Sequence, residues 1–143
     1  MIEEIVDRGM LLAIIVRNEY DKPGISFFTP DELSQQLAYM HHPQGKLIEP
    51  HVHNEVKREV SFTQEVLFIK RGKLRVDFYS VDREYLHSRV LLPGDVVLLA
   101  TGGHGFEVLE ELQMIEVKQG PYSGDHDKTR FKPEVDQPLR ILG

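Results

Sequence analysis

The chain has 143 residues, 41% of them hydrophobic and 28% charged, and no cysteine. That size suits one hydrophobic core, and that much apolar side chain argues against intrinsic disorder. The net charge of −6, from 17 basic and 23 acidic side chains, supplies no basic surface for nucleic acid or an anionic membrane. The missing thiols exclude disulfides, thiolate-zinc sites and cysteine nucleophiles.

Glu3, Glu4 and Asp7 lead into a short apolar stretch. A secretory signal starts with basic residues, and a membrane span needs about 20 apolar ones; a cytoplasmic protein is expected. Residues 11–16 form an apolar, β-branched run bounded by Gly9 and Arg17-Asn18, a strand signal. Asp21-Lys22-Pro23-Gly24 reads as a turn, and residues 25–28 as another strand. Thr29-Pro30-Asp31-Glu32 has the form of a helix start: a capping threonine, proline at the first helical position, and Glu32 completing a capping box. Residues 33–37 then predict one or two helical turns before a strand at 37–40.

From Gly45 onward strands and tight turns alternate. Residues 65–70 and 73–79 predict a hairpin across Arg71-Gly72. In its second arm Leu74, Val76 and Phe78 share one face, and Arg75, Asp77 and Tyr79 the other. Residues 90–92 and 96–99 predict a pair around Pro93-Gly94-Asp95. Residues 106–109 and 113–118 predict another, split by Glu110-Glu111. This spacing predicts an all-β sandwich or small β-barrel. No internal repeat or domain boundary is evident. The chain reads as one domain, residues 1–143, with a barrel core at 37–119 and an extended tail at 120–143 that either lies on the barrel or is mobile.

His51 and His53 are two apart, so on a strand both imidazoles project from one face. Two neutral imidazoles there make half a site for a first-row divalent metal; the alternative is two solvent-facing histidines after Pro50. Glu65 shares a face with Leu67 and Ile69, toward the apolar interior, where a carboxylate without a cation is costly. His104 follows Thr101-Gly102-Gly103 and is either a ligand or a plain loop histidine.

These pieces, in this order, resemble the cupin superfamily. Gly45, five residues, His51-Val52-His53, then Glu65, six residues and Gly72 match the family's first motif. Pro93-Gly94-Asp95 followed by His104 matches its second, and the resemblance covers roughly half the chain. It departs in the gap between His53 and Glu65, eleven residues here where the family's is short. Residues 54–64 therefore read as a longer loop at the barrel mouth. Lys57 and Arg58 hold the usual place of the acidic ligand, Ala100 that of a proline, and Val108 that of an asparagine.

The resemblance implies a double-stranded jelly roll, here with one short N-terminal helical turn. It also implies one divalent ion, with Mn, Fe, Ni and Zn equally compatible, held by His51, His53, Glu65 and His104. Glu55, the next same-face residue of an unbroken strand, is the runner-up to Glu65. In the family such ions serve sugar isomerases and epimerases, dioxygenases, decarboxylases and lyases, and the fold also serves non-catalytic modules. The expected function is an enzyme acting on a small oxygenated metabolite such as a sugar or sugar acid, by isomerase- or epimerase-type proton transfer. An iron-dependent dioxygenase and a non-catalytic ligand-binding or sensor module are the rivals. Glu107 and Glu116 are candidate catalytic groups, and Tyr39, His42, Phe106 and Lys118 candidate substrate contacts. Glu116 and Lys118, opposite Ile115 and Val117, read first as a solvated face. Residues 120–130 read as a surface loop, with closure over the site as the alternative. A small-molecule ligand and a homodimer are the expected partners, the latter with residues 11–16 lent to a neighbour's sheet.

Overall fold

A computed structural model of the chain describes residues 1–133 and 137–143. It contains strands β1 (Ile2–Asp7), β2 (Met10–Val16), β3 (Gly24–Phe27), β4 (Ala38–His41), β5 (Glu65–Tyr79), β6 (Tyr85–Leu91), β7 (Val96–Leu99) and β8 (Gly103–Lys118), and a 3-10 turn at Gly124–Asp127. Among the described residues there is no α-helix, and no helix is long and apolar enough to cross a membrane. A six-stranded antiparallel sheet runs β1-β2-β7-β5-β6, with β8 along the other edge of β5, while β3 and β4 pair separately.

The spine is β5. Its first residues pair with β7, from Glu65–Leu99 to Phe68–Val96. Its later residues pair with β6, from Leu74–Leu91 to Tyr79–Tyr85. On the opposite edge β8 follows it throughout, from Glu65–Lys118 to Tyr79–Gly103. Laid straight, the 15 residues of β5 would extend roughly 50 Å. Yet Leu99, beside one end, connects to Gly103, beside the other, through Ala100, Thr101 and Gly102 alone, a reach of at most about 14 Å. The ribbon therefore curls back toward itself as half a barrel.

The curl turns on Gly72. The hairpin expected across Arg71-Gly72 is not formed; Gly72 takes φ +87° inside one continuous strand, and the pairing with β8 slips on both sides of it. The slip has a cause in the apolar pattern. Leu67 and Ile69 are odd-numbered, Leu74, Val76 and Phe78 even-numbered, and all five are buried in one cluster. Only an extra residue in the strand brings both sets to the same face. The same continuity corrects the expected split at Glu110-Glu111: β8 runs unbroken. Likewise β6 and β7 do not pair with each other; they occupy one edge of β5 in succession.

The main core joins that face of β5 to Ile5, Leu12, Ile15, Leu91, Val97 and Leu99, each fully buried aliphatic side chain contributing about 1.5–3 kcal/mol. A second cluster, Ile14, Val16 and Leu98, packs against Tyr20, Phe28, Leu33 and Leu37. With cores on both faces, β2 is apolar without alternation. Within the chain β2 is paired on both edges, by β1 and β7.

The expected helical turn after Thr29 is also corrected. The Thr29 hydroxyl donates to Gln36 Oε1 at 2.8 Å and accepts the Leu37 N–H at 3.2 Å. The Gln36 amide donates to the carbonyls of Pro30 and Leu33, both at 2.9 Å. These side chains take up the groups a helix would have paired, leaving one turn bond from Leu33 N–H to the Pro30 carbonyl. Residues 140–142 of the tail lie against β6: the Ser88 N–H donates to the Arg140 carbonyl at 2.7 Å, and the Leu142 N–H donates to the Ser88 carbonyl at 2.9 Å.

Candidate functional site

Because the two ends of the β5–β8 ribbon approach each other, they border a half-open cavity of about 870 Å³. Glu65 enters it from one end; Tyr79, His104 and Phe106 enter from the other, with the Thr101–Gly103 link between. Residues 127–131 and Arg83 complete the wall. A second hollow, of about 540 Å³, lies between residues 31–36 and 58–60 and is lined by no histidine.

Cross-strand partners share a face, so Glu65 and Lys118 stand side by side on the concave surface. Lys118 Nζ lies 3.7 Å from Glu65 Oε1 and 3.7 Å from Asp127 Oδ2, and the Thr63 hydroxyl donates to Asp127. Glu116 stands across from Leu67 on that same face and is exposed. Lys118 is thus tied to two carboxylates that line the cavity, while Glu116 stays solvated, as the solvated-face reading has it. Alternation separates them from Ile115 and Val117 but does not say which side is interior; here the apolar pair points outward, 50% and 53% exposed.

His104 pairs with Phe78 across the ribbon, and its ring stands 5.4 Å from that of Phe106. Burial pushes its pKa below the ordinary 6.5; the Lys128 and Lys118 charges push the same way, against Glu116. At pH 7 the imidazole is neutral, a proton acceptor. Gly103 beside it is closely packed: a Cβ there would stand 3.1 Å from both Phe131 and Tyr79.

The other sequence candidates are dispersed. Glu107 points to the convex side, 2.5 Å from Arg75 Nη1, away from the face of His104 and Phe106. Tyr39 sits in β4, where its hydroxyl donates to Asp21 at 3.0 Å and its ring meets Tyr20 edge-on at 5.0 Å. His42 follows β4, and its Nε2 is buried without a hydrogen-bond partner among the described residues. Phe106 alone of the proposed substrate contacts lines the cavity directly, with Lys118 behind it at Glu65.

The four expected metal ligands divide two and two. Glu65 and His104 reach one cavity. His51 and His53 lie on the exposed segment 43–62, which pairs with no strand, with rings 5.2 Å apart and His51 Nδ1 at 2.9 Å from the Glu49 carbonyl. Glu55 is exposed on the same segment. Among the described residues no group of three or more His, Asp or Glu side chains is arranged to hold an ion. As placed, the donor set does not make one coordination site.

Sequence reasoning missed Arg83, Tyr79 and Phe131 as wall residues. Arg83 belongs to a turn with no motif; Tyr79 was legible only as a strand position. Phe131, the lone aromatic between Tyr122 and the C-terminus, was the available hint that the tail docks. No family model, curated protein or solved structure matches the chain, so the functional reading rests on the geometry and on the sequence motifs.

Proposed function

We propose that the cavity binds a small oxygenated metabolite, a sugar or sugar acid, and that the chain is an enzyme moving a proton next to the substrate's carbonyl. The supporting observation is that His104, its pKa lowered by burial, and Glu65 line the same hollow. In this reading His104 accepts the proton from the carbon beside the carbonyl, leaving an enediolate. Protonated His104 returns a proton to the neighbouring carbon, and the Glu65 carboxylate takes the hydroxyl proton from one substrate oxygen and gives it to the other. Lys118 and Lys128 supply positive charge toward the developing oxyanion.

The reaction predicts exchange of a substrate C–H with solvent. Incubated in D2O with a panel of aldoses, ketoses and sugar acids, the protein should remove one C–H signal from the proton NMR spectrum of its substrate. His104→Asn and Glu65→Gln should each slow this by about 10²–10⁴-fold. Exchange that persists in both variants, or no exchange with any member of the panel, contradicts the reading.

A second reading is favoured by the paired imidazoles of His51 and His53, 5.2 Å apart, and by the cupin-like order of the motifs. In it, residues 43–62 fold onto the concave surface and complete a divalent-metal site with Glu65 and His104, Glu55 being the alternative carboxylate. Equilibrium dialysis with Mn²⁺, Ni²⁺, Zn²⁺ or anaerobic Fe²⁺ should then give one ion per chain, lost in His51→Ala; binding unaffected by that change rejects the site. Oxygen consumption with iron would indicate a dioxygenase, and ligand binding without turnover a sensor module.

A further inference from the structure

We propose that the ligand of this cavity carries an anionic group, a carboxylate or phosphate, received by Arg83, Lys128 and Arg130; this rests on reading the cavity as a small-molecule site. The three cations line the hollow together, although the chain as a whole carries a charge of −6.

Their arrangement is built. Arg83 takes φ +69°, a conformation uncommon for a side chain of its size. The turn that holds it is tied by Ser80: the Arg83 N–H donates to the Ser80 carbonyl at 3.0 Å, and the Ser80 hydroxyl accepts the N–H groups of Asp82 and Glu84, both at 3.2 Å. Ser80 itself is buried. The Arg83 guanidinium lies 5.8 Å from the centre of the Phe131 ring, and Phe131 packs edge-on against Tyr79 at 5.0 Å. The side-chain-free surface of Gly103 lets that ring approach. Phe131 thus anchors the tail, and the anchor carries Lys128 and Arg130 to the cavity.

The charge count completes the argument. The acids of the wall are engaged: Asp77 by Arg75 and Ser88, Asp127 by Thr63 and Lys118, and Glu65 by Lys118. Among the described residues Arg83, Lys128 and Arg130 enter no ion pair. An oxyanion with several acceptor oxygens would pair with all three, and the arginine forks suit its geometry.

Calorimetric titration of the full chain with glucose, glucuronate and glucose 6-phosphate tests this. At least one charged probe should bind about tenfold or more tightly than glucose, the equivalent of one well-made charged contact. Preference between the two charged probes tells carboxylate from phosphate. The double change Arg83→Gln, Arg130→Gln should remove the margin, and Lys128→Gln, on the exposed tail, should reduce it, with folding of each variant checked by its amide NMR spectrum. Equal affinity for all three probes, or a margin that survives in the folded variants, overturns the anion site while leaving the sugar reading in place. No binding of any probe to the unaltered chain overturns both.

Discussion

Asp95 and His104 stand close together in the sequence, yet one is consumed by structure and the other is left free for chemistry. Asp95 Oδ1 accepts the Asn18 N–H at 2.8 Å; Oδ2 accepts the Leu92 N–H at 2.8 Å and Arg17 Nη1 at 3.0 Å. It knots the ends of β2, β6 and β7, which explains the Pro-Gly-Asp turn without any functional role. Burial would raise the Glu3 carboxyl nearby, but hydrogen bonds from Arg17 and Arg89 outweigh it and hold the group low. That contribution is present above pH 4.5 and lost as the pH falls through the lowered value.

His104 has a pH signature of the same sign, set at a higher pH, because its pKa is lowered too. The unfolded chain binds the proton more readily, so stability falls as the pH drops below 6.5 toward the depressed value. His87, lowered by burial and by Arg89 and Arg140, adds a slope of the same sign. Urea unfolding at several pH values should therefore show a decline on acidification that is shallower, though still present, in His104→Asn. An identical slope in the two proteins would mean that His104 is not held neutral.

At the scale of elements, period-two alternation made the inward residues of the strands legible, but not the partners. Leu74, Val76 and Phe78 are buried as their spacing predicts. Whether Gly72 closes a hairpin or a bulge depends on Glu111, some forty residues away, whose carbonyl oxygen would stand 2.0 Å from an added Cβ. Gly72→Ala should cost about 1–3 kcal/mol from backbone strain alone, with the clash adding to it. Chemical denaturation measures this; a loss below about 0.5 kcal/mol would show that the bend does not need glycine. The strand β1 escaped notice because only Ile5 of its six residues is buried, too little for a periodic signal. The helical turn after Thr29 failed because Thr29 and Gln36 compete for the same backbone groups.

For the molecule as a whole, half of the candidate site was readable in advance. Glu65 and His104 were recognisable from their apolar face and Gly-rich turn, and the curl of the ribbon brings them to one cavity. The cationic wall was not readable, because it depends on how residues 127–131 dock, and docking is decided by Phe131 meeting Tyr79 over a glycine. His51 and His53 were singled out by an alternation that needs a strand, whereas residues 43–62 pair with none.

The ring resonances of the seven histidines report directly on whether this cavity is where ligand binds. In a histidine-selective NMR titration with glucuronate and with glucose 6-phosphate, His104 should shift in a saturable way while His41 and His87 stay in place. Saturable shifts confined to His41, His87 or the His51–His53 pair, with His104 unmoved, would contradict the account.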